Sequence, residues 1–433
     1  MAATEFDAVV VGAGPAGSIA ALTLSQKGVK TLLLERGERP GAKNMFGGTL
    51  AWCPAPEELI PGFWEKAPWE REVVRRVLTV VAETSATSMV FRSDDVDRPF
   101  RGRVTLFRPA FDAWLAAQAQ AAGVTVVCGC TVEGLVVCGG RVCGVRVGGS
   151  DGVVEAPLVV AGDGALSFLA QEAGLHAGVH AEQMAVGVRA LYALEEDEID
   201  GRFGLVRGQG ATNEYLGGTE GVRGGGFVYT QTESLSVGLV LHLDSLKTRG
   251  FAPYDLLERF VGSVHVAPLL RGAQLVEYSA HLLPEAGLSM VPRLSTSGFL
   301  VAGDAGGLCY TNGLTQEGMN LAMTSGHLAG LVGAEALEVG DVSAARLAAY
   351  DRRLRESFVL RDLKTYDRAI KLLRRDRLFS DYPEVVGAIM EQLYASDGAP
   401  KRRVGSIARG ALRDRIPIRE TLADLIRIGR SYL

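Results

Sequence analysis

The sequence predicts a mixed α/β chain: a parallel sheet covered by helices, a mostly antiparallel sheet beside it, and a helical C-terminal region. Three observations carry this. The stretch "DAVVVGAGPAGSIAALTLSQKGVKTLLLERG" (residues 7–37) reads as strand, glycine turn, helix, turn and strand. Two later apolar strands end the same way, in "LVVAGDGALS" (158–167) and "GFLVAGDAGG" (298–307). Between and after them, "YLGGTEGVRGGGFVYTQTESLSVGLVLHLD" (215–244) alternates as hairpins do, and "LAAYDRRLRESFVLRDLKTYDRAIKLLRRD" (347–376) keeps helical spacing without Gly or Pro.

Each element has a local reason. Gly12, Gly14 and Gly17 form G-x-G-x-x-G directly after the first strand. Gly12 permits the sharp turn, Gly14 lets backbone approach a pyrophosphate, and Gly17 lets the helix pack on the strand. The helix opening at Pro15 and Ala16 then offers N–H groups and a positive dipole end to phosphates. Glu35, 18 residues past Gly17, is placed to bind an adenosine ribose. Asp304, after Gly303, is expected at the ribityl or pyrophosphate part of an extended FAD. Asp163 and Gly164 belong to the same pattern, although Asp163 alone also fits an Asx turn. No second strand–G-x-G-x-x-G–helix unit is present for NAD(P)H. The glycines of 215–244 read as hairpin turns.

The chain has 433 residues, which predicts two or three domains. Its net charge of -5 argues against a general nucleic-acid binder. The charge is uneven: the last ninety or so residues hold about 20 Lys and Arg against about 13 Asp and Glu. No run approaches the roughly 20 apolar residues that cross a bilayer, and the N-terminus lacks a signal-peptide pattern. A cytoplasmic chain is expected, one that can still touch a membrane surface. Six cysteines are expected as reduced thiols. Cys128, Cys130, Cys138 and Cys143 lie in alternating β-type sequence with a turn at Gly139-Gly140. They lack iron–sulfur spacing, so buried strand thiols and no metal site are expected.

The three strand-end motifs together resemble the glutathione-reductase-like flavoproteins of the hydroxylase type. That resemblance implies an FAD-binding Rossmann domain gathered from 1–50, 100–175 and 285–340. It further implies a β-rich quinone or substrate domain from 51–99 and 176–284, and a helical region over 341–433. Arg108, before the helix "PAFDAWLAAQAQAAG", matches an arginine that such proteins carry near FAD. A solvated helix-start residue is the alternative.

At "GAKNMFGGTL" (41–50) the match sharpens. Together with "IPGFWEKAPWER" (60–71), "GGGFVYTQTESLSVGLVL" (224–241), "GDAGGLCYTNGLTQEGMNLAMTSG" (303–326) and "RDLKTYDRAIKLLRRDRLFSDYPE" (361–384), it resembles the electron transfer flavoprotein–quinone oxidoreductase family, and within it the FixC-type subunits. The resemblance runs over nearly the whole chain. It implies an enzyme whose chemistry is flavin-centred, with no catalytic side chain. Electrons would arrive from electron transfer flavoprotein α- and β-type subunits, ultimately from NADH and with electron bifurcation in that partner. They would leave to membrane quinone.

Full-length relatives end in a ferredoxin-like domain. With no cysteine after Cys309, a separate small ferredoxin-like iron–sulfur protein is expected instead. Gly313, Gly318, Met319 and Asn320 are expected near the flavin ring, and Lys43, Asn44, Gly47 and Gly48 on its other side. Arg36 and Val132 complete the implied cofactor contacts. Where a basic residue and an acid are expected in FixC-type chains, this one has Glu317 and Asn320. That form leans towards geranylgeranyl reductases, which share the fold, so reduction of isoprenoid double bonds is the alternative activity.

Trp52, Trp64 and Trp69, in "WCPAPEELIPGFWEKAPW", suit either an interfacial membrane contact or a seam between domains. The basic stretch "KRRVGSIARGALRDRIPIRE" (401–420) suits anionic lipid, an acidic partner or plain solvated surface. Peripheral attachment to the inner face of the cytoplasmic membrane is the expected location.

Overall fold

Ala8–Val11, Thr31–Leu34 and Leu158–Ala161 are four-residue strands buried at every position. Such runs require cover on both faces, as strands of a parallel sheet have. A computed structural model, describing residues 5–42, 47–93, 102–148, 152–176, 178–285, 287–313 and 315–432, shows that sheet. Its order is Ser295–Thr296, Phe299–Val301, Leu158–Ala161, Ala8–Val11, Thr31–Leu34, Thr125–Val127. All neighbours are parallel except the first pair. Because Ala8 aligns with both Thr31 and Leu158, and Val159 with Phe299, the glycine ends at 12, 162 and 303 emerge along one edge.

Helix Pro15–Gln26 packs against both Arg108–Ala121 and the long helix Met319–Glu338. The second contact needs small residues. A Cβ on Gly326 would lie 2.1 Å from the Ala16 carbonyl, and one on Gly330 2.6 Å from Thr23 Cβ. Contacts climb both helices together, so the two run parallel with their N-termini side by side. Much of the small-residue character of 303–333 is therefore used for helix packing.

The second sheet has nine strands. Its order is Gln274–Pro284, Met184–Ala193, Ser234–His242, Gly224–Thr230, Gln209–Gly217, Arg71–Val81, Arg103–Phe107, Gly47–Ala51, with Ala86–Arg92 added beside Arg71–Val81. Only Gln209–Gly217 and Arg71–Val81 pair in parallel. Gly47–Ala51 and Arg103–Phe107 follow or precede Rossmann-type elements in sequence, yet they pair with each other inside this large sheet.

The Cys-rich segment forms the hairpin Val132–Cys138 and Arg141–Val147, turned by Gly139 and Gly140, both at positive φ. Here one expectation is corrected. Cys138 and Cys143 are joined as a disulfide, while Cys128 and Cys130 are free. A register shift at Val136/Val137 brings the two Cα atoms to 6.0 Å, within bridging range.

The tryptophans are resolved too. Trp64 and Trp69 stack on each other and surround Phe63, which also meets Phe111 and Trp114 of the Arg108–Ala121 helix. Trp64 and Phe63 belong to the main core, and only Trp52 is well exposed. Trp64 and Trp69 thus pack internally, against the Arg108–Ala121 helix.

Six α-helices from Ala344–Glu356 to Ile418–Tyr432 make the C-terminal region. Its first helix is pinned to the parallel sheet: Tyr350 donates to the Val301 carbonyl (2.9 Å), and Asp351 accepts from Leu294 N (3.0 Å) and from Ser295 Oγ.

Candidate functional site

The cleft starts at the first glycine turn. Gly12 has φ +94°, and a Cβ there would sit 2.4 Å from the Gly162 carbonyl. A Cβ on Gly17 would sit 1.9 Å from the Gly12 carbonyl. These two glycines serve the fold. Gly14 is different: among the described residues, and apart from its chain neighbours, only Arg108 Nη2 comes within 4 Å of its would-be Cβ, at 3.7 Å. Space is kept open in front of the helix that begins at Pro15, whose end carries no side-chain cap. A diphosphate group fits such a cradle. The Glu35 carboxylate accepts from Ala13 N (2.9 Å) and Gly37 N (2.7 Å), so the acid stands beside the turn. Cys130 N donates to the Glu35 carbonyl (2.9 Å), which brings the start of the Val132 strand next to it.

Beyond Gly14 the neighbourhood continues through Arg108 and Asp304. Arg108 is held in two-point contact by Asp112 at 2.8 Å and 2.8 Å, and the charge of Asp304 acts on it as well. Arg108 is thus paired within its own helix and only 19% exposed. Burial pushes the Asp304 carboxyl above its ordinary range, against the pull of Arg108. Gly303 has φ +66°, and a Cβ there would reach Ala16 Cβ at 2.8 Å. A Cβ on Gly318 would lie 3.7 Å from Asp304 Oδ1, and one on Gly48 3.7 Å from Met319 Cε. Gly14, Arg108, Asp304, Gly318, Met319 and Gly48 therefore follow one another along a single path. Helix Met319–Glu338 also starts without a side-chain cap, beside the Pro15 helix. Two parallel dipoles thus present their positive ends to the cleft.

Other expected residues sit less centrally. Asp163 accepts from Ser167 Oγ (3.0 Å) and feels the charge of Arg36; burial raises its carboxyl. Gly164 has φ +87° and open space around it. Gly47 is closed in by the Leu106 carbonyl, 2.8 Å from its would-be Cβ. Gly313 lies at the exposed tip of a small hairpin, Tyr310–Thr311 with Gln316–Glu317, donating to Thr311 Oγ1 (3.1 Å). Lys43 and Asn44 lie outside the described residues.

Several site residues were not legible in the sequence. Glu317 is paired by Arg103 from the large sheet and bridged by Asn320 Nδ2 at 2.7 Å. Arg103 also faces Glu214 and Tyr229, from two other strands of that sheet. His281, on Gln274–Pro284, reaches towards Arg108 and Arg36; burial and those two charges push its imidazole down to about 4. Sequence spacing carries no trace of these meetings, because they depend on sheet register.

Glu285 is buried and accepts from Gln316 Nε2 at 2.7 Å. Burial pushes its carboxyl up to about 8, from 4.5 for a free side chain. Between those values the folded chain holds a proton that the unfolded chain has released. Stability accordingly falls as pH rises through that window and levels off above about 8. Glu285→Gln keeps the shape without the charge. It is expected to remove the slope and raise stability at about pH 8 by about 2–4 kcal/mol, read as melting temperatures at about pH 5.5 and 8. An unchanged slope would assign the pH dependence to another group.

Residues 7–190 match the family model described as FAD dependent oxidoreductase, and 370–433 the one described as ETF-QO/FixC family C-terminal domain. The chain is 38% identical to the probable electron transfer flavoprotein-quinone oxidoreductase YdiS of Escherichia coli (strain K12), over 95% of each chain. It is 41% identical to Protein FixC of the same organism, over 91% of each. Among solved structures, a geranylgeranyl bacteriochlorophyll reductase-like protein from Thermoplasma acidophilum superposes with a TM-score of 0.73. That likeness covers 97% of this chain and 99% of the other at 22% identity, which speaks to the fold. With the glycine cradle, the paired helix ends and the half-buried Asp304 all suited to a flavin dinucleotide, these likenesses establish the chain as an FAD-dependent oxidoreductase belonging to the electron transfer flavoprotein–quinone oxidoreductase/FixC family.

Proposed function

We propose that this protein takes electrons from an electron transfer flavoprotein of α- and β-type subunits and passes them to membrane quinone. The observation that carries the reading is the alignment of Gly14 with Arg108, of Asp304 with Gly318 and of Met319 with Gly48, the Arg108 and Asp304 charges acting on each other, in a chain of this family. On this reading FAD lies extended along that path, with its adenosine end at Glu35, Arg36 and Val132. Gly14, Pro15, Ala16 and Gly17 meet the diphosphate and Asp304 the ribityl side. Gly47, Gly48, Gly313, Gly318, Met319 and Asn320, with Lys43 and Asn44, surround the ring. We assign that role to the segments 1–50, 100–175 and 285–340, and the quinone side to 51–99 and 176–284.

FAD supplies one- and two-electron chemistry, which joins single-electron delivery to two-electron quinone reduction. The protein positions the cofactor, and its two helix ends favour negative charge where the reduced ring would gather it. Arg103 and Asn320 fix the Glu317 carboxylate, so the segment beside the ring keeps one conformation. The iron–sulfur protein and bifurcation by the partner belong to the same proposal.

Anaerobic turnover tests it. The FAD-loaded chain alone is expected to oxidise NADH or NADPH negligibly. With the cognate flavoprotein, NADH and a short-chain quinone, it is expected to turn over. Rapid NADPH oxidation by the chain alone would sink the proposal, as would saturation of an isoprenoid double bond at the expense of quinone reduction.

A further inference from the structure

The C-terminal helix Ile418–Tyr432 leaves its apolar face uncovered. Ile418, Leu422, Leu425 and Ile426 are exposed by 65, 55, 55 and 56%. Their spacing puts all four on one stripe of the helix. The opposite side holds the helix to the protein through Thr421 and Asp424, both buried, with Asp424 gripped by Tyr382 (3.2 Å) and Arg377 (3.3 Å). The attachment is thus polar, and the apolar stripe points away from it. For a helix whose partner were its own domain, the reverse would be expected.

Immediately beside the stripe lies a cavity of about 500 Å³, between this helix and Asp367–Leu372. Arg368, Lys371, Arg375, Arg427 and Arg430 line it, and no acid does. Two of these cations have carboxylate partners: Lys371 with Asp367 (2.6 Å) and Arg427 with Asp424 (3.0 Å). Arg368, Arg375 and Arg430 have none among the described residues; Arg368 donates to the Arg430 carbonyl at 3.2 Å. Arg419, Arg427 and Arg430 lie along one side of the stripe, Arg427 and Arg430 on neighbouring turns. An apolar stripe edged by arginines is the pattern of a helix lying in a membrane interface. A cation-lined hollow at its edge has the chemistry to receive a phosphate.

We propose that helix Ile418–Tyr432 docks on an anionic phospholipid surface, its apolar stripe among the acyl chains and the adjoining cavity holding a headgroup phosphate. The inference deepens the quinone reading, on which it rests, by giving the membrane contact an address. It moves that contact away from Trp64 and Trp69, which are turned inward, to a surface the tryptophans do not share. Charge complementarity selects the occupant. A neutral bilayer would leave three cations facing uncharged headgroups, whereas each is attractive at an anionic surface.

The test uses the full chain loaded with FAD. Vesicles of phosphatidylcholine doped with phosphatidylglycerol are expected to bind it at least about tenfold more tightly than phosphatidylcholine alone, and added salt should weaken the binding. Arg375→Glu with Arg430→Glu, or Leu425→Asp with Ile426→Asp, should abolish the difference while reduction of a short-chain soluble quinone continues. Hydrogen exchange on the unaltered protein gives a readout that needs no variant: amides of 418–432 should gain protection on the doped vesicles only. Four results would overturn the proposal. They are equal binding to both vesicle types, no binding to either, stabilisation by inorganic phosphate without vesicle binding, and a dimer or complex with the flavoprotein that the Leu425→Asp pair dissolves in place of vesicle binding. Loss of soluble quinone reduction by the unaltered protein would count against the quinone reading instead.

Discussion

Arg71→Met is expected to destabilise the protein by about 3–5 kcal/mol, the cost of leaving buried polar groups without their partner. Arg71 is 2% exposed and is among the largest fully buried side chains. Its guanidinium pairs with Asp200 and donates to the carbonyls of Gln231 (2.7 Å), Gln209 (2.8 Å) and Thr232 (3.1 Å), with Glu196 at 3.8 Å. Met fills similar volume but satisfies none of these. The arginine ties the start of the Arg71–Val81 strand to the Gln209–Gly217 strand, where the register shifts at Gly210/Ala211. It lies outside the path from Gly14 to Gly48. Denaturant unfolding should show a clearly lower midpoint, while FAD bound per folded molecule stays at the unaltered level. A loss below about 1 kcal/mol would mean that solvent or relaxation replaces the lost partners.

A pair of glycine substitutions should separate fold from cofactor. In Gly17→Ala the new Cβ meets main chain, the Gly12 carbonyl, at 1.9 Å, and main chain cannot rotate aside. The first helix must move off the sheet, with an expected loss of about 3 kcal/mol or more, in protein stripped of FAD as well as loaded. Gly14→Ala differs in kind. Gly14 has φ -79° and ψ -176°, which alanine adopts freely, and among the described residues its Cβ would have only Arg108 within 4 Å. The stripped protein should melt as before, yet FAD affinity should fall at least about tenfold, because the methyl enters the space at the helix end. Unchanged FAD affinity in Gly14→Ala would remove the diphosphate from this position.

The contrast between these glycines also marks how far the sequence could be read. The strand-end motifs were legible because turn, helix start and acid are neighbours in sequence, and parallel pairing then brings their ends together. Gly14 lies beside Arg108, on which the charge of Asp304 acts. The Glu317 and Asn320 positions, which look anomalous in sequence, acquire a reason only when Arg103 arrives from the large sheet. His281, Glu214 and Glu285 were invisible for the same cause: a side chain's partners across a sheet follow from register, and register leaves no local signature. The glycines at 326 and 330 admit a neighbouring helix, a role that their sequence alone does not announce. The tryptophan segment could be read two ways because aromatic composition is the same at a membrane and in a core. Burial separates them.

The central strand Ala8–Val11 lies between Thr31–Leu34 and Leu158–Ala161, and the sheet is completed by Phe299–Val301. The order of synthesis therefore differs from the order of assembly. At roughly 5–20 residues per second, about 15–60 s separate the first strand leaving the ribosome from the last. Throughout that interval, the sheet edge that will accept Phe299–Val301 has no permanent partner, and Asp304 has not yet been made. The antiparallel strands from Met184–Ala193 to Gln274–Pro284 are contiguous in sequence and can pair while the parallel sheet is still waiting. Cofactor capture is thus a late event in the life of the chain. On the proposed placement of FAD, a nascent protein of this design is born with its cofactor cleft open along one side, and supply of FAD and closure of the sheet fall in the same short period after the Met319–Glu338 helix is released.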